Sequence, residues 1–347
     1  KELISALVQS AIQAPSADNH HYVQFEPTSR GLRVWARQEY IDCTERHKRI
    51  LTHVGYGALL ENLLLRASSL GYKAEMQPLT DPARLIADLT LTKRSEAAPA
   101  AELALADMIP FRHTNRRFYQ KRAALPHQLG TLDSDASTIP GVRLLWLNDK
   151  ARSAALRLIW QAESERFRVR DLHQELFSAV RFDIGWQGSC DEGLPPGSLE
   201  VEPGLRTAFK ALGNWKLMRM LARLGAHRML GLRAAFLPCK LAPHLGVIVA
   251  DTDAESAALD AGRAFQRVWL RATYFGMALQ PLAASAILPY QTSEQGASVH
   301  VKQALTKGWA PILPGRTPLM VFRLGFAETP TQTTGRAPID MYLRSAV

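Results

Sequence analysis

The chain carries one kind of segment twice, and this repeat constrains its architecture more than any other feature. Residues 56–79 read YGALLENLLLRASSLGYKAEMQPL, and residues 261–284 read AGRAFQRVWLRATYFGMALQPLAA. In each segment an apolar helix ends at a glycine, Gly71 or Gly276, and leads into a strand-like exit with Gln-Pro-Leu. The repeat predicts two similar halves, each marginal alone, that pack together.

Hydrophobic periodicity predicts further elements. For the first half we expect a helix over 2–13, hairpin strands at 22–27 and 31–37, a long helix over 46–70, and strands at 73–79 and 85–91. For the second half we expect a helix over 149–170 that continues towards Val180, a buried strand at 245–252, a helix over 257–277 and a strand at 317–327. The pattern predicts an α+β fold with a mixed or antiparallel sheet core, whose halves are residues 1–104 and 105–347.

Composition narrows the class of protein. The 347 residues are 47% hydrophobic and 21% charged, as in ordinary globular domains. Three widely spaced cysteines, Cys43, Cys190 and Cys239, support neither a disulfide framework nor a zinc site. No apolar run is long enough to span a membrane, and the amphipathic start is unlike a signal peptide. We expect a cytoplasmic protein, and whether a targeting segment precedes Lys1 is left open.

The formal net charge of +10 suggests a nucleic-acid partner, but its distribution argues against one. No acidic residue lies between Glu202 and Asp251, so much of the positive surplus is local. No helix-turn-helix, zinc-finger or RNP-type signature accompanies it. The sequence therefore predicts no nucleic-acid partner.

A second group of cations lies in FRHTNRRFY, residues 111–119. Arg112, Arg116 and Arg117 crowd around a hydroxyl, Thr114. Such a density of fixed charge repels itself unless solvent or an anion lies among the guanidiniums. These residues alone leave both a solvated turn and an anion site open.

Three stretches resemble the FMN-dependent nitroreductase family. AIQAPSADNHHYVQF, residues 11–25, resembles its A-P-S-x-x-N-x-Q-P-W-x-F stretch, and FRHTNRRFY resembles its R-x-[ST]-x-R phosphate motif. RLGFAETPTQTTGRAPIDMYL, residues 323–343, is similar to its C-terminal close. The order of the motifs resembles that of the tandem, Acg-like branch, in which one chain is similar to a fused dimer. The resemblance implies a nitroreductase-like fold of two tandem halves that form a pseudo-dimer.

Each half holds one of the two motifs that a complete site needs. No R-x-[ST]-x-R copy precedes Pro15, and no P-S-x-x-N copy follows Arg116. We therefore expect one FMN per chain. No G-x-G-x-x-G follows a predicted strand, so a dinucleotide-binding fold is not supported.

The resemblance assigns the phosphate to cations from both ends of the second half. Arg112, Thr114 and Arg116 are its first candidates, because bidentate guanidinium forks and a hydroxyl suit a near-dianionic phosphate. Arg336, in a Gly-Arg-Ala-Pro turn, is the third cation.

The remaining candidates approach the flavin itself. The resemblance implies that Pro15, Ser16 and Asn19 contact the ribityl chain or ring edge, although a Pro-Ser-x-x-Asn turn also occurs for backbone capping alone. It also implies that a loop of small residues presents backbone N–H groups to the ring. The candidates of this loop are Pro281, Leu282, Ala283 and Ala284.

The chain departs from the family at His21, Tyr22 and Val23, where Gln-Pro-Trp is usual. His20 and His21 could donate protons, but we favour the interpretation that both are polar residues near the surface, at the start of a strand. No catalytic triad, fixed carboxylate pair or metal cluster stands out. This indicates a reaction whose chemistry belongs to the cofactor, with no catalytic residue and no metal ligand assigned to the chain.

The basic segment 204–235 has three interpretations. Lys216, Arg219 and Arg223 share one helical face, which suits a lid over the flavin, an amphipathic helix on anionic lipid, or a solvated helical pair. The preceding DEGLPPGSLEV resembles the Gly-[IL]-Pro insertion of Acg-like proteins. This favours a lid-like insertion over about 190–240.

The resemblance implies a monomeric or homodimeric oxidoreductase that uses NAD(P)H to reduce a small, electron-poor acceptor, a nitroaromatic or a quinone, by two electrons. A lid closed on the flavin would instead make a flavin-sequestering or storage protein with little turnover. The sequence identifies neither the acceptor nor the choice between NADH and NADPH.

Overall fold

The structure, a computed structural model, describes residues 2–77, 79, 84–293 and 296–344. The strands in these residues are β1 (Val23–Pro27), β2 (Gly31–Ala36), β3 (Tyr72–Gln77), β4 (Leu85–Lys93), β5 (Val142–Trp146), β6 (His244–Ala250), β7 (Ala278–Pro281) and β8 (Thr317–Gly325).

The α-helices are α1 (Glu2–Ala11), α2 (Gln38–Ile41), α3 (Arg46–Ser69), α4 (Ala100–Met108), α5 (Pro126–Ser137), α6 (Asp149–Arg168), α7 (Arg170–Ala179), α8 (Arg206–Ala211), α9 (Trp215–Arg223), α10 (Ala226–Gly231), α11 (Leu237–Leu241), α12 (Ala254–Tyr274), α13 (Ala284–Ile287) and α14 (Val299–Trp309). A π-helical turn, Leu232–Phe236, joins α10 to α11.

Two four-stranded antiparallel sheets repeat one plan. Their orders are β1-β2-β4-β3 and β5-β6-β8-β7, so the first, second, fourth and third strand of each half are neighbours. Both sheets also shift register in the second strand, between Val34 and Trp35 in one and between Ile248 and Val249 in the other. The predicted α+β fold is confirmed, and both sheet cores are antiparallel.

The apolar patterns explain why the sheets differ in burial. β2 and β4 alternate buried and partly exposed residues, as expected for a sheet that packs on one face. β6 and β8 are almost continuously apolar and buried. The second sheet is therefore covered on both faces.

The two repeated helices, α3 and α12, cross closely where each carries a glycine. A Cβ on Gly57 would lie 1.8 Å from the carbonyl oxygen of Leu259, and one on Gly262 would lie 2.0 Å from that of Val54. Only glycine permits so close a backbone approach. The central helices thus join the halves along the segments whose repetition predicted two halves.

The C-terminal segment leaves the second sheet and packs on the first. The amide of Phe25 in β1 donates to the carbonyl of Tyr342 at 2.7 Å, and the amide of Arg344 donates to the carbonyl of Phe25 at 2.8 Å. The Tyr342 side chain is buried in the core of the first half. This return carries residues 328–341 past the junction of the halves.

Several predicted boundaries change. The helix expected over 149–170 and beyond is divided into α6 and α7, because Val169 adopts an extended conformation. The strand expected at 73–79 ends at Gln77, and Pro78 lies outside the described residues. Helices α5 and α14 and strand β5 were not predicted. Within the described residues no helix combines the length and apolar character needed to cross a membrane.

Candidate functional site

A cavity of about 560 Å³ lies where the two central helices meet the loops of both halves. All eleven site residues proposed from the sequence line it. They are Pro15, Ser16, Asn19, Arg112, Thr114, Arg116, Pro281, Leu282, Ala283, Ala284 and Arg336.

The turn that carries the arginines is attached to the second sheet. The amide of Asn115 donates to the carbonyl of Leu279 in β7 at 3.0 Å. A buried arginine, Arg323 of β8, donates to the carbonyl of Arg117 at 2.8 Å, and its guanidinium lies 3.9 Å from the ring centroid of Tyr119. These contacts fix the backbone on both sides of Arg116.

Arg112 is buried between the two halves. Its Nη2 donates to the carbonyl of Gln13 at 3.0 Å, and its guanidinium lies 4.4 Å from the ring centroid of Trp269. Its Nε is buried with no acceptor among the described residues. Burial, and then the charge of Arg336, lowers the pKa of Arg112 to about 9, so it is still cationic at neutral pH.

Arg336 reaches the same place from the C-terminal segment. It donates to the carbonyl oxygens of Ile12 and Ala14 and, at 2.7 Å, to Oδ1 of Asn19. Its Nη2 lies 3.4 Å from the carbonyl of Gln13, which also accepts from Arg112. Burial lowers the pKa of Arg336 to about 10. Two guanidiniums thus converge on one carbonyl group.

Arg116 and Arg117 diverge although they are adjacent in sequence. Nη1 of Arg116 donates to the carbonyl of Ser198 at 3.1 Å inside the cavity, and burial lowers its pKa to about 10 while Asp18 favours its charged form. Arg117 instead lies 2.7 Å from the Glu328 carboxylate, outside the cavity lining. Arg112, Arg116 and Arg336 have no carboxylate within 4.0 Å in the part of the chain that the structure describes.

The Pro-Ser-x-x-Asn turn owes its shape to two left-handed residues, Asp18 (φ 50°) and Asn19 (φ 61°). Asp and Asn are the non-glycine residues that best tolerate this conformation. The buried Asn19 side chain donates to the carbonyl of Asp191 at 3.0 Å and accepts from Arg336. Its observed contacts therefore hold Arg336 and the 191–198 segment in place.

His21 is buried, so the expectation that it lies near the surface is wrong. Its Nε2 donates to the carbonyl of Ala14 at 3.1 Å, and its Nδ1 lies 3.4 Å from Oγ of Ser16. Burial lowers the pKa of His21 to about 3. A neutral ring with both nitrogens engaged stabilises the turn and is no proton donor at neutral pH. His20, in contrast, lines the cavity and lies 4.0 Å from the carboxylate of Glu192.

The loop after β7 presents unpaired backbone groups. The amide of Leu282 donates to the carbonyl of Val321 at 2.7 Å, whereas the amides of Ala283 and Ala284 have no acceptor among the residues described. Phe265 and Trp269 contribute an apolar wall beside this loop. Hydrogen-bond donors therefore lie next to a surface suited to a flat aromatic ring.

Sequence reasoning missed the charged residues of the helices. Glu163 and Arg166 of α6 form an ion pair at 3.3 Å, and Lys48 of α3 pairs with Glu175 of α7 at 2.7 Å; all four line the cavity. They lie in ordinary helical patterns with no motif around them. Their periodicity gave no signal that could have identified them.

The basic segment 204–235 does not line the cavity. Leu194 and Ser198, at the start of the predicted insertion, do so, while α9 packs on α6 and α7. The structure therefore does not position the basic helices over the candidate site. Within the described ranges no group of three or more His, Cys, Asp or Glu side chains could hold a metal ion.

No family model and no curated protein matches the chain. Three solved structures are similar over 70% of it. The FMN-dependent nitroreductase NfnB from Mycobacterium smegmatis in complex with NADPH is 17% identical in sequence, with a TM-score of 0.39, and the match covers 98% of the NfnB chain. A nitroreductase with bound FMN from Desulfitobacterium hafniense is 13% identical and 98% covered, with a TM-score of 0.36. A nitroreductase-like family protein from Bacillus cereus is 12% identical and 95% covered, also with a TM-score of 0.36. TM-scores below 0.5 and identities below 25% leave the family of the chain unassigned.

Proposed function

We propose that the cavity binds FMN and that the chain is an FMN-dependent NAD(P)H oxidoreductase. The observation that carries this proposal is a set of three guanidiniums without carboxylate partners that line the cavity: Arg112, which is buried, and Arg116 and Arg336, which are partly buried. Burial of an unpaired charge is costly, and a bound anion offsets that cost. A phosphate monoester with near-dianionic charge matches guanidinium forks.

The unpaired groups of the cavity fit the rest of this cofactor. The orphaned Nε of Arg112 offers a further donor. The free amides of Ala283 and Ala284, beside the apolar wall of Phe265 and Trp269, suit the polar edge and flat face of an isoalloxazine ring. A cavity of about 560 Å³ is within the usual range for ligands of this class.

Bound FMN supplies two-electron transfer between NAD(P)H and an electron-poor acceptor such as a nitroaromatic or a quinone. In this proposal the arginines hold the phosphate, and the segment between α1 and β1, residues 12–22, which contains the Pro-Ser-x-x-Asn turn, fixes Arg336. The Ala283 and Ala284 amides donate to the ring, and the apolar wall excludes water. No side chain of the chain is assigned the redox step.

The proposal also covers how the two halves of the chain are related. Their equal strand orders and the crossing of α3 with α12 support a tandem duplication that forms a pseudo-dimer. The boundary proposed between residues 104 and 105 falls inside α4, so the halves would join through a helix.

The first test is the cofactor content of the purified chain. We expect acid-released FMN, identified by chromatography, at about one per chain. Anaerobic mixing with NADH or NADPH should bleach its absorbance, and menadione or nitrofurazone should restore it. Bound FMN that neither nucleotide reduces would favour the flavin-sequestering alternative. FAD, or a chain that neither contains nor binds FMN, would overturn the proposal.

A further inference from the structure

The outer surface of residues 204–235 is strongly basic. Five of its cations are exposed and have no carboxylate within 4.0 Å among the residues described: Lys210, Lys216, Arg219, Arg223 and Arg228. Arg233 is paired with Glu202, and Arg206 lies over the ring of Trp186. No acidic residue interrupts the sequence between Glu202 and Asp251.

Large apolar side chains of the same segment are exposed as well. Leu224 is 81% exposed, Met229 65% and Met220 55%, whereas Met218 on the inner side of α9 is fully buried. Met218 packs with Phe167 and Phe177 of α6 and α7. The inner face of α9 therefore holds the helix on the protein, and the outer face combines unpaired cations with exposed apolar groups.

We propose that this surface docks on an anionic lipid bilayer. Clusters of four to eight cations on an amphipathic helix are attracted to acidic headgroups, and adjacent apolar side chains enter the boundary between headgroup and acyl chain. Three exposed cations on α9, with one on each flanking helix, supply the charge, and Met220, Leu224 and Met229 supply the apolar side chains. The proposal does not depend on what the cavity binds.

Two other partners fit this surface less well. A symmetric dimer formed through it would bring the same five cations of each copy together, which is repulsive. A nucleic acid would neutralise the cations but would leave Leu224 and Met229 exposed. A bilayer surface satisfies both the charges and the apolar side chains.

Vesicle flotation of the full chain tests the proposal. We expect association with phosphatidylcholine vesicles that contain 40% phosphatidylglycerol at low salt, much weaker association at 0.5 M KCl, and little with phosphatidylcholine alone. Each cation near a charged membrane contributes about fivefold in affinity. Replacing Lys216, Arg219 and Arg223 by glutamine should therefore weaken association on the order of 100-fold.

A matched control removes three positive charges beside the first sheet, away from the basic segment. Arg30, Arg84 and Lys93 are exposed near β2 and β4, and their replacement by glutamine should leave vesicle association within about twofold of the unmodified chain. Equal losses in both triple variants, or no association with the acidic vesicles, would overturn the proposal.

A second variant separates a bilayer from any other polyanion. Met220→Ser with Leu224→Ser leaves the charge unchanged, and we expect it to weaken vesicle association about 10-fold while binding to single-stranded RNA stays as in the unmodified chain. Vesicle association unaffected by this double variant would mean that the surface binds polyanions by charge alone, which contradicts docking on lipid.

Discussion

The two sheets share their strand order but differ in what connects the strands. In the first half, residues 28–30 join the first two strands and 78–84 join the last two; the corresponding connections in the second half are 147–243 and 282–316. The long connections carry much of the cavity lining, including Arg166, Ser198 and Ala283. The first half is the compact version of the plan, and the second half adds the walls of the site.

The link from a helix into the first strand is instead longer in the first half than in the second. Helix α1 ends at Ala11 and β1 begins at Val23, whereas α5 ends at Ser137 and β5 begins only at Val142. The long link of the first half supplies Pro15, Ser16 and Asn19, and the short link of the second has no room for such a turn. The halves are therefore complementary rather than equivalent, which explains why they line one shared cavity with parts that neither repeats.

The largest expected effect comes from the buried ion pairs that join the halves. Glu61 of α3 is buried and pairs with Arg263 at 3.0 Å and Arg267 at 2.5 Å, both on α12. Glu61→Ala leaves Arg267 without a carboxylate and Arg263 with only Asp260, at 3.5 Å, so it should lower the free energy of unfolding by about 4 kcal/mol in urea titrations. Glu255→Ala, which breaks an exposed pair with Arg46 between the same helices, should cost less than about 1 kcal/mol. Similar losses in the free energy of unfolding for the two variants would mean that burial does not make the Glu61 ion pairs more important than the exposed pair.

The close crossing of the central helices should also resist substitution. Gly262→Ala brings a Cβ to 2.0 Å from a backbone oxygen, so α3 and α12 must move apart. We expect a loss of about 3 kcal/mol in the free energy of unfolding. Gly130→Ala in α5 meets no atom within 4 Å and should stabilise by roughly 0.5 kcal/mol. A Gly262→Ala protein as stable as the Gly130→Ala protein would contradict the tight junction.

The adjacent arginines distinguish the cavity from its rim. Arg116→Ala should weaken FMN binding by about 2 kcal/mol, roughly 30-fold, because it removes a charge-assisted contact from a buried site. Arg117→Ala, whose partner Glu328 lies outside the cavity lining, should change the affinity less than about twofold. Fluorescence titration of apo-protein with FMN measures both. Equal effects, or none for Arg116, would assign FRHTNRRFY to a structural turn.

The sequence was informative where the site is built from short continuous motifs. The stretches around Ser16 and Arg112 each carry three candidates within a few residues, and Arg336 lies in a Gly-Arg-Ala-Pro turn, so these patterns identified side chains that the fold brings together. Arg323 and Arg166 lie in ordinary strand and helix patterns, and only tertiary packing gives them their positions. The amphipathic pattern of 215–223 identified which side chains share a face but not which surface that helix covers, so the sequence left a lid, a lipid-bound helix and a solvated helical pair open.

His21 provides the finest test, because it lies in the link that only the first half has. Its pKa is about 3 in the folded chain and about 6.5 in an unfolded one. Below pH 6.5 the unfolded chain therefore binds a proton that the folded chain does not, and stability is lost as the pH falls. The loss is roughly 1.4 kcal/mol per pH unit, so that about 1.4 kcal/mol is lost by pH 5.5 relative to pH 8. His21→Gln removes this titration and retains a donor for Ala14, so it should reduce the stability lost in urea between pH 8 and pH 5.5 by about 1.4 kcal/mol. Burial also lowers the pKa of six other histidines, so part of the pH dependence should remain. His127→Gln, on the exposed side of α5, should leave that dependence unchanged. If His21→Gln keeps the full acid sensitivity, the lability arises elsewhere, and the 12–22 link is not the acid-sensitive part of the first half.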